Sequence, residues 1–166
     1  MGEALNFKKG IPIHFRLSCI SHGGCGVVAS YNALHTLGNP KSFDDVLAYY
    51  NNRMAFTLGW GFTGLSPSAV AGYFSDLGYS VMLTDDPDSI DLLSKTADAC
   101  IMYYMLPRSY LGLDAYGAHF VEYHRDGSGY TGVNTNELFG RYSFTSPSNY
   151  AYQNPRNYGV GIFIFK

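Results

Sequence analysis

Ser21-His22-Gly23-Gly24-Cys25-Gly26-Val27-Val28-Ala29-Ser30-Tyr31-Asn32-Ala33-Leu34 is the stretch from which the fold can be read. A glycine-rich turn delivers a cysteine to the start of a helix predicted over about Cys25–Leu37. Val27, Val28, Tyr31 and Leu34 recur at helical spacing and point to a core, and Gly38 supplies the stop. Unpaired N–H groups and the positive dipole end at a helix N-terminus stabilise a thiolate. Gly24 and Gly26 keep the flanks small enough for a second molecule to approach. Cys25 is therefore a candidate nucleophile. A small buried cysteine is the alternative, and it is the fate of most free cysteines.

Outward from this stretch, the period of the apolar residues divides the chain. Gly10, Pro12 and the Gly23-Gly24 pair break any periodicity in residues 1 to 24. After the turn Gly38-Asn39-Pro40, Ser42 is a predicted N-cap for a second helix with Phe43, Val46, Leu47, Tyr50 and Met54 on one face. Gly59-Trp60-Gly61-Phe62-Thr63-Gly64 reads as a loop. Ser66-Pro67 then opens a third helix carrying Val70, Tyr73, Phe74 and Leu77, which Gly78 ends. Beyond Gly78 the runs are short and β-branched or aromatic: Tyr79–Leu83, Ala99–Leu106, Ala118–His124, Tyr130–Asn134 and Gly159–Phe165. Asp126-Gly127-Ser128-Gly129 marks a hairpin, and a short helix is expected over Asp88–Ser94. Phe139–Tyr158, aromatic and with two prolines, reads as a long ordered loop. Helices first and strands afterwards predict an α+β fold with a mostly antiparallel sheet.

Composition narrows the function classes. A chain of 166 residues suits one domain, 1–166. Fifteen tyrosines and eleven phenylalanines suggest aromatic-lined wet surfaces as well as core. Eleven basic and thirteen acidic residues are well mixed, so no basic patch argues for nucleic acid. No apolar run is long enough for a membrane span. The first residues lack the apolar segment of a secretion signal, and Asn6 breaks a myristoylation pattern after Gly2. A cytoplasmic location follows as the expectation. Three cysteines, an odd number in such a setting, favour free thiols over a disulfide frame.

A cysteine nucleophile needs a base, and the base needs an orienting partner. His119 begins a predicted strand behind Gly117 and Ala118. Asn134 ends the following strand, where a hairpin could set its amide beside the His119 ring and fix the tautomer. Asn136 is the competing third member. Taken singly, His119 suits an ordinary strand histidine and Asn134 a turn residue. Their order along the chain is what links them to Cys25.

With those residues in view, the chain resembles the papain-fold cysteine peptidases. The similarity rests on Cys25-Gly26 opening a helix, Gly64-Leu65-Ser66 before the third helix, His119-Phe120-Val121 opening a strand, and Asn134 beyond it. It covers roughly Gly24 to Asn136 and is greatest to the compact bacterial branch that includes the double-glycine leader peptidases of bacteriocin exporters. The resemblance implies a papain-like fold, with N-terminal helices packed on a C-terminal sheet. It also implies hydrolysis of a peptide or small amide substrate, with Cys25 as nucleophile, His119 as base and acid, and Asn134 as orienter. Substrate would lie near Gly24, Trp60, Gly64, Ala118 and the Phe139–Tyr158 stretch. No cofactor and no metal are implied.

Two departures stand out. That branch usually has Asp as third member, whereas Asn134 follows the wider papain group. The family also carries a Gln six residues before the nucleophile to bind the oxyanion, and here that position is Cys19. His22, Ser21 and Ser18 are the candidate substitutes, with the Cys25 N–H. An acyl transferase on the same scaffold and a catalytically inactive binding module are the alternatives. Other patterns are weaker. Cys19, His22 and Cys25, with His14 or His35, could ligate zinc, but the spacing is not that of a finger. Gly59-x-Gly61-x-x-Gly64 matches a dinucleotide fingerprint only as a string, with no strand before it. Gly23-Gly24 could be a cleavage point, although residues 1 to 24 do not look like a helical leader.

Overall fold

The computed structural model describes residues 24–53, 64–110, 113–133, 141–152 and 158–166. Local signals explain most of its element boundaries. Helix α1 (Cys25–Thr36) ends where Gly38 takes φ 73° and Asn39 N–H donates to Leu34 O at 3.0 Å. Helix α2 (Phe43–Asn52) begins at Ser42, whose Oγ accepts Asp45 N–H at 3.1 Å. Helix α3 (Pro67–Asp76) begins in the same way, with Ala69 N–H donating to Ser66 Oγ at 3.0 Å. Strand β1 (Ser80–Thr84) follows, and Asp86 then caps α4 (Pro87–Leu93) through Ser89 N–H. Hydrogen bonding from the Ser89 side chain, and then from its backbone N–H, holds the Asp86 carboxyl below its ordinary range. Strands β2 (Ala99–Tyr110) and β3 (Leu113–Asp126) form a long antiparallel pair. The predicted hairpin joins β3 to β4 (Gly129–Val133), with Asp126 opposite Gly129 and Gly127 at φ 61°. Strand β5 (Arg141–Phe144), helix α5 (Pro147–Tyr152) and strand β6 (Gly159–Phe165) complete the described chain.

The six described strands form one antiparallel sheet in the order β1-β6-β2-β3-β4-β5. The class is α+β, as the element order predicted. Alternation along each strand sends neighbouring side chains to opposite faces. One face carries Ile101, Phe120, Ile162 and Ile164, packed with Val27, Val28 and Leu34 of α1, Val46 and Tyr50 of α2, and Val70 and Phe74 of α3. The other carries Cys100, Met102, Tyr104, Val121, Tyr123 and Phe163, covered by Ile90 of α4 and by Tyr150 and Ala151 of α5. The N-terminal helices do pack on the sheet. Two short helices cover its second face.

Two expectations need correction. The Phe139–Tyr158 stretch is not simply a loop, since it contains β5 and α5. Tyr142 and Phe144 alternate as strand residues do and pack into the second core. Ser146 caps α5, its Oγ accepting Asn149 N–H at 3.1 Å, ahead of Pro147 at the first helical position. Helix α1 also departs from a one-faced amphipathic reading. Ala29, Ser30, Asn32 and Ala33 are buried along with Val27, Val28 and Leu34, so the helix is enclosed on most sides. Its polar groups are met internally: Ser30 Oγ donates to Gly26 O at 2.8 Å and lies 2.7 Å from the Tyr50 hydroxyl. Among the described residues no helix is long and apolar enough to cross a membrane.

Candidate active site

Cys25 is the first residue of α1. Gly24 stands at the N-cap with no side chain to offer, and no acidic residue occupies the first turn. The Cys25 thiol is thus attached to the positive end of a helix whose own first turn carries no opposing charge. Such a position favours the thiolate. The side chain is 6% exposed and belongs to the core between α1 and the sheet.

Gly26 is small for a reason other than the expected one. A Cβ at this position would stand 2.8 Å from Leu65 Cδ1, 3.2 Å from its Cβ and 3.4 Å from its Cγ. Leu65, not an incoming molecule, occupies that space. The contact brings Gly64-Leu65-Ser66 against the start of α1, so two of the sequence motifs do meet. Gly64 itself takes φ 77°, a left-handed conformation that glycine adopts without strain.

Tyr103 of β2 is a neighbour of the thiol that the sequence reading missed. Burial raises its phenol pKa, and a thiolate at the nearby Cys25 would raise it further. The phenol thus stays protonated and able to donate. Its ring packs on Phe120 at 4.9 Å, the residue directly opposite it on β3. Strand alternation was the available signal, because Tyr103 follows Ile101 on one face of an apolar strand.

His119 lies on β3, opposite Tyr104, and is 5% exposed. Its ring meets Tyr104 edge-on with centroids 5.7 Å apart. The Tyr104 hydroxyl is 3.3 Å from that of Tyr150, whose phenol is raised by burial. His119 therefore sits with the Tyr104 face of the sheet, whereas its neighbour Phe120 packs in the core that includes Cys25. The strand that carries His119 is packed against α1, and Ala118, half-buried, alternates to the α1 face. Among the described residues the β3–β4 ladder begins only at Glu122, opposite Val133. From Ala118 to Val121, β3 thus has a described strand partner only on its β2 side.

Several sequence candidates fall outside the described residues: Cys19, His22, Ser18, Ser21, His14, Gly23, Trp60, Asn134 and Asn136. The third cysteine, Cys100, behaves as a core residue. Burial, then the negative Glu122, pushes its thiol up to about 12. It is neutral at physiological pH. Compared with models of known protein families, the chain matches none, and no curated protein is significantly similar to it.

Proposed function

We propose that this chain is a cysteine-dependent hydrolase of peptide or small amide bonds, built on a papain-like variant of its α+β fold. The observation that carries this reading is Cys25 at the N-terminus of a buried helix, behind a Gly24 N-cap, that packs on the strand bearing His119. The thiolate attacks the carbonyl carbon, and the carbonyl electron pair moves onto oxygen. The Cys25 N–H stabilises that oxyanion, and Tyr103, kept protonated beside the thiol, supplies a phenolic donor where the family has Gln. His119 gives its proton to the leaving amine as the C–N bond breaks. Water, deprotonated by His119, then adds to the thioester carbonyl; the C–S bond breaks, the acid product leaves and the thiolate beside protonated His119 is restored. Asn134 orients the imidazole. An amine in place of water would make the same intermediate serve acyl transfer.

This reading requires His119 to reach the thiol past the edge of β3 that has no described partner. The alternation of His119 away from the Phe120 face favours a second reading, an inactive binding module. Iodoacetamide at low excess near pH 6, followed by peptide mapping, separates the two. The hydrolase reading expects Cys25 to be alkylated first and His119→Ala to slow it about tenfold, because the stabilising imidazolium is gone. Equal labelling of Cys19 and Cys25, unaffected by His119→Ala, would establish the inactive module instead.

A further inference from the structure

Strand β1 lies at one end of the sheet order, with β6 on one side and no described strand on the other. Its outward backbone N–H and C=O groups have no ladder partner among the described residues. Outer strands are usually blunted by a charge, a proline or a bulge. Ser80-Val81-Met82-Leu83-Thr84 carries neither charge nor proline. It has no bulge either, since its five residues pair with β6 in unbroken register, from Ser80 opposite Phe165 to Thr84 opposite Gly161. Met82, 50% exposed, is opposite Phe163 and stands on the face that α4 and α5 cover. Leu83, 44% exposed, is opposite Ile162 and stands on the α1 face. Both faces of this edge are thus accessible.

The strand is also complementary to itself. Two copies of β1 laid antiparallel about Met82 set Ser80 opposite Thr84, Val81 opposite Leu83 and Met82 opposite Met82. Hydroxyl meets hydroxyl and aliphatic meets aliphatic, and such cross-strand pairs stabilise a sheet. The flanking charges fit the same centre. Asp85 falls opposite Tyr79 of the second copy and Asp86 opposite Gly78, so the two acidic pairs stand at opposite ends of the join, about 20 Å apart. A centre at Leu83 would instead set Asp85 against Val81 and Met82 against Thr84. A centre at Val81 would set Leu83 against Tyr79 and Met82 against Ser80. Of these three, only the Met82 centre matches all five residues in kind. A palindrome of this sort is read by a second copy, whereas a peptide ligand requires no symmetry in the strand it joins.

We infer that the chain self-associates as a two-fold dimer through β1, joining two sheets edge to edge into one continuous antiparallel sheet. The axis passes through Met82, perpendicular to the sheet, so each face continues across the join. Such an interface is isologous, and Met82 meets its own copy. A strand pair of five residues buries less than about 1,000 Å², the size expected of a stable interface. The dimer is therefore weak, with a Kd of about 0.1 mM. The join makes no use of Cys25 or His119 and does not depend on the hydrolase reading.

Sedimentation equilibrium of the full chain with reductant present, from about 10 µM to about 1 mM, tests the inference. The wild type should pass from monomer toward dimer across that range. Met82→Lys and Met82→Glu each set like charges against one another on the axis, and each should stay monomeric. An equimolar mixture of the two variants should dimerise again, because opposite charges then meet across the join. Leu83→Lys, facing Val81 of the second copy, should weaken the dimer about tenfold. A wild type still monomeric at the highest concentration, a dimer that persists in Met82→Lys, or a mixture that stays monomeric would each overturn the inference. Should either Met82 variant lose its fold by circular dichroism, an unchanged dimer in Leu83→Lys would overturn it equally.

Discussion

Gly26→Ala sets two local effects against each other beside the candidate nucleophile. Within a helix, alanine is favoured over glycine by about 1 kcal/mol, so propensity alone expects a more stable protein. The new methyl would stand 2.8 Å from Leu65 Cδ1 and 3.2 Å from Leu65 Cβ. Leu65 is 1% exposed and enclosed by core, so its side chain has little room to withdraw. Inserting a methyl into a packed core typically costs about 1–3 kcal/mol. Taking the middle of that range, the net change is a destabilisation of about 1 kcal/mol. Urea unfolding of the wild type, Gly26→Ala, Leu65→Ala and the double variant measures it as a cycle. Leu65→Ala alone should cost about 2–5 kcal/mol by leaving a cavity. In the double variant the Gly26→Ala methyl should no longer clash, and it should recover about 1 kcal/mol or more relative to the sum of the singles. Stabilisation by Gly26→Ala in the wild-type background, with additive behaviour in the cycle, would refute the contact. It would return Gly26 to the role of leaving space for a ligand.

The other expectations are briefer. Tyr50→Phe removes a buried hydroxyl that lies 2.7 Å from Ser30 Oγ, while Ser30 keeps its bond to Gly26 O; denaturant unfolding should register a loss of about 1 kcal/mol. Cys100 is held neutral in the fold up to about 12, against an ordinary value of 9.0, so unfolded chains ionise first. Its stabilising contribution is complete below pH 9 and is lost as pH rises toward 12, by up to about 1.4 kcal/mol per pH unit. The melting temperature of Cys100→Ala should accordingly fall less steeply than that of the wild type between pH 9 and 11. For the orienting role, Asn134→Ala should reduce peptide turnover and Asn136→Ala should not, with circular dichroism unchanged for both. The reverse pattern would move that role to Asn136.

Signals confined to a few residues were readable directly. Ser42 and Ser66-Pro67 announced helices that begin with those side chains as caps, and Asp126-Gly127-Ser128-Gly129 announced the hairpin. Ser146-Pro147 carries the same message as Ser66-Pro67, yet it lies within an aromatic run whose strand alternation is only four residues long, and α5 was missed there. The candidate site was legible as a set of residue types at suggestive positions. Tyr103 was not, because it matters through Cys25, which is far away in the chain.

The sequence by itself therefore determined the class of the fold, the starts of α1, α2 and α3, and the placing of Cys25 at a helix start. Those depend on interactions within a turn or two of backbone, where capping, proline and period act directly. Tertiary structure alone decided that β6 lies between β1 and β2, that α1 is enclosed on most sides, and that Leu65 fills the space beside Gly26. It also decided on which side of the sheet His119 stands. Side chains alternate with a period of two, so a shift of one residue in register would exchange His119 with Phe120 between the two faces. That register is set by pairing Tyr104 with His119 across the sheet, a choice made by the packing of both cores together and not by any residue near either one.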